Sequence, residues 1–265
     1  MTLRTALAVT CVGITLGTLG LVTPARAATL HVLTGDNTLV QVDTTTLRAT
    51  RPVPITGAPA PIMSVALRPS NGMLYGLTSA SQLVTIDPKT GQATAAAALD
   101  KPVETGARAA INFNPTVDRL RVVGLGGGNY RINVDTGAVT VDGKLAYAPA
   151  TPYAATPPAL AAAAYTNHMA GAKETMLYTI DAVLAQINLQ APPNDGVQQP
   201  KKQLDGILPR GMGFDIVVDA QGANTGYMLV DATLMRVALP DLTITTVGTV
   251  QGLAQSGVTG MAAQP

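Results

Sequence analysis

The chain is poor in several of the residues on which enzymes and extracellular domains rely. It has one cysteine, at position 11, no tryptophan, two phenylalanines, seven tyrosines and two histidines among 265 residues. A single cysteine excludes an internal disulfide framework, so a folded form must be held by its core. Two histidines leave little material for separate acid, base and nucleophile roles. No G-x-S-x-G, H-E-x-x-H or calcium-loop pattern occurs, which removes the usual signatures of serine hydrolases, zinc proteases and EF-hands. Charged residues are also sparse, 17 basic against 16 acidic, and they form no basic run. Near-neutrality without a basic patch argues against nucleic acid or an anionic membrane surface as partner. The shortage of aromatic rings weakens carbohydrate binding, which commonly stacks sugars on aromatic faces.

What the chain does have begins with residues 1–27. Arg4, an apolar stretch from Leu7 to Val22 and the small-x-small triplet Ala25-Arg26-Ala27 read as a cleaved export signal. The glycine-containing apolar run is short for a spanning helix of about 20 residues. Cys11 falls inside that apolar run, not at a lipoprotein cleavage site. Residues 28–265 then form one domain with almost no net charge, no cysteine and no integral membrane segment.

That domain is repetitive. Leu120-Arg121-Val122-Val123, the glycine-rich connector 124–128, Tyr130 to Val134, the turn Asp135-Thr136-Gly137 and Ala138 to Val141 spell strand, connector, strand, turn, strand. Related runs begin at Leu30, Leu74, Leu177 and Tyr227, with Asp87-Pro88-Lys89-Thr90-Gly91 in the place of Asp135-Thr136-Gly137. The five starts lie about 44 to 57 residues apart, close to a propeller-blade period. A short run rich in small apolar residues precedes four of them: Met63 to Leu67, Ala109 to Phe113, Leu160 to Tyr165 and Phe214 to Val218. Small residues suit the crowded axis of radially stacked sheets. The copy at Leu30 lacks such a run, and Gly257 to Ala262 lacks a copy after it. These features predict an all-β propeller of about five blades, closed by pairing of the N- and C-terminal strands. The alanines of 160–164 favour helix by propensity, but repeat position favours strand. Residues 52–61, 149–158 and 191–208 read as surface loops, being aperiodic and rich in breakers.

Residues 113–124 (FNPTVDRLRVVG), 129–147 (NYRINVDTGAVTVDGKLAY), 162–167 (AAAYTN) and 177–196 (LYTIDAVLAQINLQAPPNDG) closely resemble the bacterial family of domain of unknown function 4394. The resemblance implies an exported, propeller-like protein and brings no reaction or catalytic residues with it. A second, weaker resemblance is to an S-layer-associated envelope protein read as a copper-only superoxide dismutase, although no copper motif is matched.

The candidate chemistry is thin. Gly124 to Gly128 followed by Asn129 has a nucleotide-loop look, but a strand follows it, so no helix N-terminus is there to hold a phosphate. It reads as a hairpin loop. His31 lies in the first strand, either as a satisfied strand residue or as a ligand. His168 and Met169 lie in the loop before Leu177, where an imidazole and a thioether suit copper, with an exposed loop histidine as the plainer reading. His168, Met169 and His31 are therefore the metal candidates, and copper the cofactor they would take. Asp36-Asn37, Asn114 with Asp118, and Asn194-Asp195-Gly196 supply oxygen ligands for calcium or, equally, turn residues. Two functions follow. One is an exported cell-envelope module, S-layer associated, that binds a protein partner and forms a homo-oligomer. The other is a copper-dependent superoxide dismutase of the envelope or periplasm.

Overall fold

The computed structural model describes residues 28–206, 208, 211–253 and 257–265, so the export signal read at 1–27 lies outside the described residues. Among those residues there is no helix. The strands are β1 (Thr29–Thr34), β2 (Thr38–Asp43), β3 (Arg48–Ala49), β4 (Val53–Pro54), β5 (Ile62–Leu67), β6 (Leu74–Thr78), β7 (Leu83–Ile86) and β8 (Ala93–Ala95). Next come β9 (Ala109–Asn114), β10 (Arg119–Gly124), β11 (Asn129–Ile132), β12 (Val139–Val141), β13 (Ala146–Tyr147), β14 (Leu160–Tyr165) and β15 (Leu177–Asp181). The chain ends with β16 (Gln186–Gln190), β17 (Val197–Gln203), β18 (Met212–Val218), β19 (Asn224–Val230), β20 (Thr233–Ala238), β21 (Thr243–Thr249) and β22 (Val258–Gln264).

These strands make five antiparallel sheets, the blades of a propeller. From the axis outward, blade 1 is β22-β1-β2-β3, blade 2 is β5-β6-β7-β8 and blade 3 is β9-β10-β11-β12. Blade 4 is β14-β15-β16-β17 with β13 added outside, and blade 5 is β18-β19-β20-β21. The ring closes as the sequence predicts: Leu30 pairs with Ala263 and Val32 with Met261, so the last strand is innermost in the first blade. Closure leaves neither terminal strand as a bare edge.

The inner strands pack against one another around the axis, β22 on β5, β5 on β9, β9 on β14, β14 on β18 and β18 on β22. They run the same way. Arg108, just before β9, reaches the carbonyls of Met212 and Thr259 near the starts of β18 and β22. At the other end Tyr165 N donates to Asn112 Oδ1, and Arg68, just past β5, binds Asp118 in the turn after β9. Every residue of β14 (LAAAAY) is buried, which is why strand wins over alanine's helix propensity. Each blade hides its apolar faces against its neighbours, as with Ala66, Leu77, Ile111 and Val122 in one cluster and Leu30, Val42, Leu229 and Leu234 in another.

The third turn of the repeat is set by short polar side chains that cap the local backbone. Asp87 Oδ1 accepts from Lys89 N at 2.8 Å, while Gly91 N returns to Asp87 O. In blade 3 it is Asn133 that holds this position, since Gly137 N bonds Asn133 O and Asp135 N bonds Asn133 Oδ1. Asp135 therefore stands where Lys89 stands, not where Asp87 does, and its carboxylate is free to bind Arg68. Gly137 is required there: its φ is 77°, and a Cβ would strike the Ala98 carbonyl of the neighbouring segment.

Two loop assignments change, and in the first of them residues 52–61 contain β4, paired antiparallel to β2. Residues 191–208 contain β17, the fourth strand of blade 4, whose polar side chains carry no alternation. Gln198 is nonetheless buried and accepts from Thr179 Oγ1 at 2.7 Å. Asn194 serves the blade 3–4 seam: Arg121, fully buried, donates to Asp142 Oδ2 at 2.6 Å, Asn129 Oδ1 at 2.7 Å and Asn194 Oδ1 at 2.8 Å. Asp142 also takes two bonds from Arg131.

Candidate functional site

Because the inner strands are parallel, the propeller has two distinct faces. One carries the turns that follow each inner strand, and the other carries the segments that enter each inner strand and the β15–β16 type of turn.

The axis itself is plugged. Asp215, in the middle of β18, is completely buried. Its Oδ1 accepts from Asn112 Nδ2 at 2.9 Å and from Ile216 N at 2.8 Å, and its Oδ2 accepts from Ala263 N at 2.7 Å. Asn112 belongs to blade 3, Asp215 to blade 5 and Ala263 to blade 1, so one carboxylate ties three blades across the centre. Toward the opposite face Arg108 closes the axis, where burial lowers its guanidinium to about 10. The void among the inner strands, lined by Ser64, Ala162, Gly213 and Gly260, holds about 10 Å³, room for about one water.

His168 faces this plug. It is 8% exposed, not an exposed loop residue, and its Nε2 is buried without a partner among the described residues. Burial pushes its pKa down, partly countered by the Asp215 charge; burial pushes Asp215 up, partly countered by His168 and its three hydrogen bonds. The carboxylate and the imidazole influence each other through their charges.

The other two metal candidates do not join it. Met169 is 52% exposed, so the thioether and the imidazole next to it in sequence do not share an environment. His31 is buried in β1, bonds Gln264 Oε1 through Nε2 at 3.2 Å and is pushed down by burial. Among the described residues no three His, Cys, Asp or Glu side chains gather as a metal site. These residues do not fit copper. The oxygen-rich loops are likewise turn elements: Asn114 Oδ1 accepts from Thr116 N at 2.9 Å, and Asp118 is held by Arg68.

On the face bearing the first turns, Arg68 bridges Asp118 and Asp135 at 2.6 Å each. Beside it a cleft of about 560 Å³ opens between blades 1 and 2, with His31, Leu67, Met73, Asp87 and Gln264 among its lining. The same face exposes Met73, Val117, Met169 and Met176, on the first turns of blades 2, 3 and 4. The glycine loop 124–128 is a β10–β11 hairpin turn, as expected, on the opposite face, where a second cleft of about 570 Å³ is bounded by Glu104, Gly127 and Lys144.

Sequence reasoning missed Asn112, Asp215, Arg108 and Arg121. A signal existed for two of them: a charged residue in the middle of an apolar strand, as in Phe214-Asp215-Ile216 or Leu120-Arg121-Val122, must be paired when buried.

Residues 38–262 match the family described as Domain of unknown function (DUF4394). The chain belongs to DUF4394. As a DUF4394 member it shares its fold with a structural genomics protein of unknown function from Bacteroides thetaiotaomicron, at 15% identity and a TM-score of 0.52, covering 89% of this chain and 70% of that one. A protein of unknown function from Bacteroides caccae is similar at 13% identity and a TM-score of 0.46, over 83% of this chain and 72% of that one. Virginiamycin B lyase from Staphylococcus aureus is similar at 15% identity and a TM-score of 0.43, over 80% of this chain. The alignment spans 62% of the lyase's length. No curated protein matches this DUF4394 chain. At these identities the likeness is one of fold.

The buried imidazoles make a testable pH dependence. A histidine whose folded pKa is depressed binds its proton less readily than in the unfolded chain, so stability is lost as pH falls below about 6.5. The loss is at most about 1.4 kcal/mol per pH unit for each of His31 and His168. Asp215, raised by burial, works in the opposite sense: its contribution is present below the unfolded carboxylate pKa and is lost as pH rises through its folded value. Asp36, Asp43, Asp87, Asp118 and Asp135 are held low by hydrogen bonds, so they lose their contribution only in more acid solution. Thermal melts between pH 7.5 and 5.5 should show a falling Tm, and His31→Gln with His168→Gln should flatten it. An undiminished slope in the double variant would contradict the assignment.

Proposed function

We propose that this DUF4394 chain is an exported binding module of the cell envelope that docks a protein partner on the face carrying its first turns. One observation carries the reading: Met73, Val117, Met169 and Met176 are 43–52% exposed on consecutive blades at the same end of the ring. Single exposed apolar residues are ordinary on any surface. Here they share a face, and three of the four are methionine, which is enriched at interfaces and adapts its shape to a partner. The cleft between blades 1 and 2 opens on that face and gives a partner a concave foothold. The axis offers little room for a competing site, because Asp215, Asn112 and Arg108 are engaged between blades and the void among the inner strands holds about 10 Å³. Export rests on the pattern in residues 1–27. The near-zero charge and the few aromatic rings favour a protein over nucleic acid or sugar.

Met73→Glu, Met169→Glu and Met176→Glu together should move the protein from the envelope fraction of the producing cell into the soluble fraction. The fold should survive, since each exposed substitution shifts stability by about 0.5 kcal/mol or less. Val183→Glu is the control, being 67% exposed on the β15–β16 turn of the opposite face. Retention of the triple variant at the wild-type level, or equal release of the control, overturns the reading.

A further inference from the structure

The outer strands of four blades are covered in one recurring way. The segment that leads in from the preceding blade lays a residue against the outer edge and takes up its main-chain groups. In blade 2, Thr56 N donates to Gly91 O and Thr56 O accepts from Ala93 N. In blade 3, Asp100 N donates to Gly137 O and the Asp100 carboxylate accepts from Val139 N. In blade 4 the lead-in supplies a whole strand, β13, paired parallel to β17. In blade 1, Gln251 O accepts from Ala49 N and Gln251 N donates to Leu47 O.

Among the described residues blade 5 breaks the pattern, with no main-chain bond from its lead-in to its outer strand. Its outer strand, β21, is one of the longest outer strands, seven residues with burial falling to exposed at Thr243, Thr245, Thr246 and Thr249. Among the described residues Thr243 to Gly248 make hydrogen bonds only to β20, apart from a Thr243 to Asp241 side-chain contact. A bulge at Val247 leaves Thr243–Thr246 as the regular part of the edge. The usual protections of an edge strand are absent: β21 has no proline and no charge, whereas β17 carries Pro200, Lys201 and Lys202.

We propose that β21 is a docking edge for the β21 of a second copy of this chain, paired antiparallel about a twofold axis at Thr245. The edge is its own best partner. An uncharged, β-branched strand brings threonine against threonine and isoleucine, which are favourable cross-strand neighbours, with no like charges opposed. Charge complementarity fixes the direction. Asp241 lies just before one end of β21, and Arg48 is held at the other end by its bridge to Gln251. Antiparallel pairing brings the Asp241 of each copy toward the Arg48 end of the other, whereas parallel pairing sets the two Asp241 carboxylates side by side. This surface lies on the rim and is distinct from the methionine face, so both can be occupied at once.

Light scattering on the full chain across a concentration series tests this, with a mass rising from 27.1 kDa toward twice that value as the expected result. Asp241→Arg should weaken association by up to about thirtyfold, because the twofold axis makes it break two rim ion pairs, each worth up to about fivefold, and adding Arg48→Asp should restore it. In a Cys11→Ser background, Thr245→Cys should give a covalent dimer under mild oxidation, while Thr94→Cys on the outer strand of blade 2 should not. A wild-type chain that stays monomeric throughout, or an Asp241→Arg variant that dimerises like wild type with no rescue effect, overturns the proposal.

Discussion

Asp142→Ala is expected to lose about 3–5 kcal/mol of stability, because it removes the carboxylate from a guanidinium that has no route to water. Arg121 is 1% exposed and Asp142 5% as side chains, and the pair meets at 2.6 Å at the seam between blades 3 and 4. With Asp142 gone, Arg121 keeps only neutral acceptors, Asn129, Asn194 and Tyr165. Hydrogen bonds to neutral acceptors do not replace a buried counter-charge. For a domain of this size the loss corresponds to a fall in Tm of about 10 °C or more, read by circular dichroism. Arg121→Met combined with Asp142→Asn should recover part of it, since an uncharged seam no longer holds a stranded ion. A single Asp142→Ala variant within about 1 kcal/mol of wild type would show that Arg121 is solvated or otherwise compensated. Arg131 alone cannot account for such tolerance, being bound to the same carboxylate that is removed.

That seam also shows why some of the molecule could be read from sequence and some could not. The five-blade count and the closure were legible because the blades repeat the same local chemistry: a small-residue inner strand, alternating middle strands and, in blades 1 to 3, an Asx-capped turn. Position within that repeat predicts a strand at Leu160 to Tyr165 against its own propensity, and it is a fully buried strand. β17 was not legible, since Val197 to Gln203 sits at the outside of blade 4 where one face is wet and no apolar alternation is imposed. Its strand character comes from partners distant in sequence, Gln186 to Gln190 on one side and Ala146-Tyr147 on the other. The turn of blade 3 lies where Asp135-Thr136-Gly137 predicts it, but its cap is Asn133, two residues earlier, because asparagine caps as well as aspartate does.

The candidate site was less legible than the fold. His168 reads as a loop residue because it is one, yet the loop folds inward over Asp215 of another blade. No local pattern encodes that contact. Met169 follows it in sequence and points outward, so adjacency misleads about shared chemistry. The axial carboxylate could have been suspected from the apolar run around it, but its partners Asn112 and Ala263 lie about a hundred and about fifty residues away in the chain. Polar residues in this protein are thus divided by place. Those at the axis and in the blade seams hold the ring together, and those on the rim and faces remain available to partners.

The largest effect is expected from deleting Val258 to Pro265. β22 is the inner strand of blade 1: it pairs along β1 and packs against β18 and β5, so its loss opens the ring at the axis. Val258, Met261, Ala262 and Ala263 are all buried, and their removal exposes Leu30, Val32 and Leu229, which are fully buried in the closed ring. Two polar groups lose partners in the same step. Asp215 forfeits the Ala263 amide on Oδ2, and Arg108 forfeits the Thr259 carbonyl, each inside the axis where water does not replace them. A five-blade ring has no spare blade to rearrange around the gap, and its stability of roughly 5–15 kcal/mol is smaller than the sum of these losses. The deleted chain should show no cooperative thermal transition and should aggregate. A synthetic strand of the sequence 258–265 added during refolding should restore a transition, because β22 is joined to the rest through its own lead-in segment and otherwise acts through pairing and packing. A cooperative melt of the deleted chain within a few degrees of the intact protein would mean that closure by the terminal strands does not hold the propeller together.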